Sequence, residues 1–264
     1  MAKVSLDLPF TGSLGNCSVY QMRGVDKLII RSKGGPDKNK IKTDPVFETL
    51  RYNNAEFSGC GKAASTIRMA LYGLWHLADY NFSGSLTAIA KEIQKMDMEH
   101  NTGSRSIIIS KHKDMLIGFN LNREHIFDQV VKHSPACSIS RDTLSASVHF
   151  PAIFPKINIS SPWNLGYYRF VTTMGIVPDM AKIDGAYVPV HNNLVFNQAR
   201  DVSEWYETGQ KAALRETHLS FDASTIIDQS ATIMVSVGIE FGKMVKGMPE
   251  HVKYGGCARI LDLQ

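Results

Sequence analysis

The stretch Ala231-Thr232-Ile233-Met234-Val235-Ser236-Val237-Gly238-Ile239-Glu240-Phe241 decides how the second half of this chain is read. Ile233, Val235, Val237, Ile239 and Phe241 fall on every second residue. Successive side chains of a strand point to opposite faces, so this period places all five on one buried sheet face. Outward from it, Leu144 to Phe150, Tyr167 to Met174, Tyr187 to Val190 and Cys257 to Leu261 are further strand candidates separated by turn residues. Their succession predicts an antiparallel, β-sandwich-like half. Pro151, Pro155 and Pro162 follow Phe150. Proline cannot donate to a sheet ladder, so this passage is expected to be an extended or edge segment available for contacts.

The first half has a different texture. Two short strands are expected around Arg23-Gly24-Val25-Asp26, followed by a basic loop over Lys33-Gly34-Gly35-Pro36-Asp37-Lys38-Asn39-Lys40. Thr43-Asp44-Pro45 puts a capping residue before a proline, which predicts a helix start. That helix is expected to end in a glycine-rich turn at Ser58-Gly59-Cys60-Gly61. A second helix then runs from Ala63 to Ala78, with Ile67, Leu71, Leu74 and Trp75 on one side. Ser85 caps a third, whose apolar positions are Leu86, Ile89, Ala90, Ile93 and Met96. Ser106 to Ile109 and Met115 to Phe119 read as short strands, and Arg123 to Lys132 as a short helix stopped by Ser134-Pro135. The expected class is α+β. N-terminal strands and a helical unit over 1–135 form an interaction region, and a β-rich, sandwich-like domain occupies 136–264.

Composition narrows the function classes. The chain has 264 residues, 44% of them hydrophobic, enough for a sizeable core. Only 20% are charged and the net charge is +4, so any basic function must be local. Cys17, Cys60, Cys137 and Cys257 stand singly, without the close pairs of zinc or redox motifs, and read as reduced thiols. Asp7 and Pro9 interrupt the apolar run that a signal peptide needs, which predicts synthesis in the cytoplasm without a leader. No window approaches the roughly 18 apolar residues of a membrane span.

The motifs that would carry chemistry fail one by one. Gly59-Cys60-Gly61-Lys62-Ala63 lacks the earlier glycine and the following Ser or Thr of a phosphate loop. The nine histidines show no paired metal-ligand spacing. Ser110-Lys111-His112-Lys113 matches Ser-x-x-Lys without the companion motifs of penicillin-recognising hydrolases. Asp201, Glu204, Glu207 and Glu216 name no acid–base pair without their separations. No catalytic residue, cofactor or metal ligand is therefore assigned. Arg31, Lys33, Lys38, Lys40 and Lys42 form the best local signal, a basic stretch suited to a phosphate backbone, although a solvated surface loop is the plainer reading.

Gly12-Ser13-Leu14-Gly15-Asn16, Tyr20, Arg31-Ser32-Lys33-Gly34-Gly35, Pro45-x-Phe47 and Arg51-x-Asn53-Asn54-x-Glu56-Phe57 together resemble the opening of a family of uncharacterised bacterial proteins. That family joins such a segment to a variable β-rich half. The resemblance covers about the first 80 residues and brings no catalytic residue with it. It implies that the first segment is an assembly element and the β-rich half its body. The expected function is that of a structural protein associating with itself in a filament, shell or phage-like particle, inside the cell or as an extracellular assembly. The contacts would come from Val4, Leu6, Leu8, Phe10, Ile153, Phe154 and Trp163. Exposed strand edges are ready templates for such pairing. The alternative partner is nucleic acid, held by the basic loop 31–42.

Overall fold

The computed structural model describes residues 2–4, 10–22, 27–222 and 224–264. Its internal contacts divide the chain into two units, Met1–Arg51 and Tyr52–Gln264.

The first unit is a small antiparallel sheet. β1 (Ala2–Val4), β2 (Gly12–Leu14), β3 (Cys17–Gln21) and β4 (Leu28–Ser32) lie in the order β1-β4-β3-β2. The two strands expected on either side of Arg23 to Asp26 are β3 and β4, paired Cys17 to Ser32 through Gln21 to Leu28. Part of the lysine-rich stretch, expected to be a loop, is the helix α1 (Lys38–Thr43). The Asp37 carboxylate accepts the Asn39 N–H at 2.8 Å, and Lys40 and Lys42 occupy the last turn, where helix carbonyls favour cations. Asp44 caps a 3-10 turn over Pro45–Phe47, its Oδ1 accepting the Val46 N–H at 3.0 Å. Arg51 Nη1 donates to the carbonyls of Ile41 and Asp44 at 2.9 and 2.8 Å and ties these turns together.

α2 (Glu48–Ala70) contains the division between the units and passes straight through Ser58-Gly59-Cys60-Gly61, where two helices with a turn between them are expected. Neither glycine has the positive φ that a turn would use. Gly59 is there because the Tyr187 ring lies against it: a Cβ at this position would stand 2.6 Å from two ring carbons. The helix ends at Ala70, and a 3-10 turn, Tyr72–Leu77, replaces its expected last turns.

Residues 52–264 continue with α3 (Ser83–Lys95), α4 (Phe127–Val130), β5 (Ala136–Ser140), β6 (Ser145–Phe150), β7 (Tyr167–Pro178), β8 (Met180–Ile183), β9 (Ala186–Pro189), β10 (Gln198–Val202), β11 (Tyr206–Glu207), β12 (Arg215–Ser220), β13 (Ala231–Val245) and β14 (Met248–Leu263). The class is α+β. One sheet has the order β10-β7-β13-β14, with β11 also paired to β7; a second has the order β12-β6-β5, and β8 pairs with β9. The runs 106–109 and 115–119 are not strands. They form 3-10 turns at Ile109–Lys111 and Lys113–Met115, with one bridge from Ile107 to Met180. Ile107, Ile109 and Leu116 are apolar because they are buried in the core, not because they alternate on a sheet. The helix expected over Arg123 to Lys132 shrinks to α4.

β13 sits between two cores. Ile233, Val235, Val237, Ile239 and Phe241 share one with Ala146, Val148 and Phe150 of β6 and Leu219 of β12. The other combines Ile67, Leu71, Leu74 and Leu77 with Val171, Met234, Ala258 and Ile260. The alternation thus identifies one buried face, while the intervening Thr232, Met234, Ser236 and Glu240 are buried as well. Small residues on that second face let the helix come close. A Cβ on Gly175 would lie 2.8 Å from the Ala70 Cα, a backbone atom with little freedom to move. Gly175→Ala is therefore expected to destabilise the fold by about 1–3 kcal/mol through overpacking. Urea unfolding measures it, and an unchanged midpoint would mean that α2 can withdraw from the sheet at no cost. Among the described residues, no helix is long and apolar enough to cross a membrane.

Candidate interaction surface

The N-terminal unit is poor in core. Among its described residues only Val19 and Ile29 are buried apolar side chains, on the adjacent strands β3 and β4. Phe10, Leu14, Met22, Val46 and Leu50 are exposed, Leu14 at 68% and Val46 at 83%. Among the described residues, β2 stands at the end of its sheet with β3 as its only strand partner, and all three of its residues face solvent. This edge therefore offers backbone N–H and C=O groups to another strand. Val4 lies opposite Leu28 in the β1–β4 pairing, and Leu6 and Leu8 fall outside the described residues.

The five basic residues that form the local signal are on the surface of this unit. Arg31, Lys33, Lys38, Lys40 and Lys42 are exposed, the last three on α1. Lys33 Nζ donates to the Gly15 carbonyl at 3.1 Å, which fastens the end of β4 to the turn between β2 and β3. None of the five is in an ion pair among the described residues.

The proline-rich segment offers less surface than its sequence implies. Ile153 is buried and exchanges backbone hydrogen bonds with Ala212 at 3.0 Å. Trp163 is half-buried, its ring 5.1 Å from Phe241 and 4.7 Å from His125. Phe154 alone of the three is exposed, with the Lys211 ammonium 4.8 Å from its ring centre.

Two buried carboxylates in residues 52–264 carry the densest electrostatics, and neither stood out in the sequence. Glu56, on α2, is fully buried. It accepts Arg105 Nε at 2.8 Å and Nη2 at 2.7 Å, Lys91 Nζ at 2.7 Å and the Gly103 N–H at 2.8 Å. Burial alone would raise its pKa, but these donors outweigh it and hold the carboxyl at about 2. Cys60 lies beside the same cluster, its Sγ 3.3 Å from Gln94 Oε1, and burial pushes the thiol up to about 11. That favours an inert structural thiol over a nucleophile. Glu240, on β13, is held between His76 Nε2 and Arg169 Nε, each at 2.5 Å, and the Arg169 guanidinium lies 4.5 Å from the Trp205 ring centre. Burial is again overcome, and its pKa is about 2. His251 packs edge-on to His76 at 5.2 Å, and burial pushes its pKa down. The one signal for Glu240 in the sequence was a charged residue inside the alternating run 233–241.

The remaining motif residues are placed structurally. Lys62 Nζ donates to the Tyr187 carbonyl at 2.7 Å, and Ser110 Oγ donates to Asp179 Oδ2 at 2.6 Å. All four cysteines are free. Among the described residues, no group of three or more His, Cys, Asp or Glu side chains is placed to hold a metal ion. No family model, no curated protein and no solved structure matches the chain.

Proposed function

We propose that this chain is a non-enzymatic structural protein that associates with itself, with the N-terminal unit making contacts between copies and residues 52–264 serving as the body. The supporting observation is a unit of 51 residues whose described residues bury only the apolar side chains of Val19 and Ile29 while exposing a strand edge and Leu14, Val46 and Phe10. So small a unit buries too little apolar surface to be comfortable alone, and association is the usual remedy. An edge strand pairing with the same strand of a second copy is self-complementary, which makes another copy the natural partner. The body is read as a sandwich-like packing of the β12-β6-β5 sheet on the larger sheet, giving the assembly a rigid unit to repeat. A filament, shell or phage-like particle would each use such a unit.

The exposed cations of α1 and Arg31 favour nucleic acid as the second reading, because a backbone-tracking surface needs charges free of internal partners. Light scattering over a concentration series at low and high salt separates the two. The wild type is expected to form particles that persist at about 1 M salt, and Leu14→Lys with Val46→Lys to reduce them to monomers of unchanged circular dichroism. A strict monomer at every concentration sinks self-association. Binding of a DNA or RNA oligonucleotide that weakens steeply with salt and disappears in Lys38→Ala/Lys40→Ala/Lys42→Ala would put nucleic acid in its place.

A further inference from the structure

The Ser110-Lys111-His112-Lys113 stretch has a setting that its motif does not explain. It contributes to the wall of a cavity of about 430 Å3, which also includes Arg141, Asp179 and Thr232. The charge there is predominantly positive. Neither Lys111 nor Lys113 is in an ion pair among the described residues. Arg141 is committed to the wall itself: Nη1 donates to the carbonyls of Ala231 and Gln264 at 2.9 Å each, and Nη2 to that of Asp228 at 2.6 Å. Its charge remains while its hydrogen bonds are used. Asp179, the acidic member, is engaged by the turn, with Oδ1 accepting the Ser110 N–H at 2.9 Å and Oδ2 the Ser110 hydroxyl at 2.6 Å.

Thr232 supplies a second, independent observation. It is fully buried on β13, it lines this cavity, and its Oγ1 has no hydrogen-bond partner among the described residues. Buried hydroxyls are nearly always paired, so an orphan at a cavity wall is a place where a ligand oxygen belongs. Two lysines free of carboxylate partners provide point charges of the kind that hold a phosphate. The volume lies in the range of small-molecule sites and leaves room beyond one phosphate, with Gln229 also in the wall.

We infer that this cavity binds a small phosphorylated molecule, of sugar-phosphate to nucleoside-monophosphate size, with its phosphate between Lys111 and Lys113 and an oxygen hydrogen-bonded to Thr232. Such a ligand would regulate or stabilise the body of the protein independently of contacts made by the N-terminal unit.

Titration calorimetry of the full chain with adenosine monophosphate and with glucose 6-phosphate tests this, with adenosine and glucose as uncharged counterparts. At least one phosphorylated compound is expected to bind saturably at one site while its counterpart does not. Lys111→Ala/Lys113→Ala should weaken that binding at least about tenfold, and Thr232→Val, which keeps the side-chain shape, about threefold or more. Lys38→Ala/Lys40→Ala, in the N-terminal unit, should bind as the wild type does, and thermal melts confirm that each variant is folded. Absence of saturable binding by both phosphorylated compounds, or equal binding by the folded Lys111→Ala/Lys113→Ala variant, overturns the assignment.

Discussion

Glu56→Ala is expected to lower the unfolding free energy by about 3–5 kcal/mol, because it removes one partner of a buried ionic cluster and leaves the others in place. Arg105 would lose both of its contacts to the carboxylate, Lys91 its ammonium contact and Gly103 an acceptor for its N–H. These groups come from α2, α3 and the segment 103–105, so the Glu56 carboxylate joins three pieces of chain at one point. Glu56→Gln keeps an acceptor without the charge and should cost less. Replacing the carboxylate and Arg105 together by methionine should recover part of the loss, since the desolvated charge disappears along with its partner. Urea denaturation of the set measures this. A loss below about 1 kcal/mol for Glu56→Ala, within the range of an ordinary surface pair, would show that the cluster does not hold these segments.

The second large effect is acid lability. Glu56 and Glu240 both titrate at about 2 in the folded protein, against an ordinary 4.5. The unfolded chain therefore binds their protons more readily. Their contribution is complete above pH 4.5 and is lost as the pH falls from there toward 2. Each displacement corresponds to about 3 kcal/mol. His251, pushed below its usual 6.5 by burial, has the same sign for a different reason: the folded state disfavours its charged form, so stability begins to slip as the pH falls through 6.5. Melting temperatures are thus expected to decline gently below pH 6.5 and steeply below 4.5. Glu240→Gln, less stable at neutral pH, should show a shallower acid limb, by up to one proton. An acid limb as steep as that of the wild type would remove Glu240 from this account.

How much was legible follows from what each element depends on. The alternation in 233–241 identified β13, because a period of two needs only neighbouring residues to express it. The Asp44-Pro45 cap likewise located the 3-10 turn that leads into α2, because the Asp44 bond to the Val46 N–H spans two residues. The α1 helix was hidden by the glycines and proline before it, which set the local texture without entering the helix. Arg31, Lys33, Lys38, Lys40 and Lys42 are exposed. Among the residues proposed for contacts, Phe10 and Phe154 are exposed, whereas Ile153 is drawn into the core by pairing with Ala212, 59 positions later in the chain.

The sequence by itself determined the α+β class, the strands β6, β7, β9, β13 and β14 and the presence of a basic surface stretch, all of which rest on short-range periodicity and charge. Only the tertiary structure decided the rest. A glycine is needed at 59 inside a helix because the Tyr187 ring packs against it, the runs at 106–119 turn instead of extending because their apolar side chains fill a core, and Glu56 finds Arg105 across 49 residues. Each of these outcomes depends on the free energy of packing or pairing with a distant group, which the local sequence does not contain.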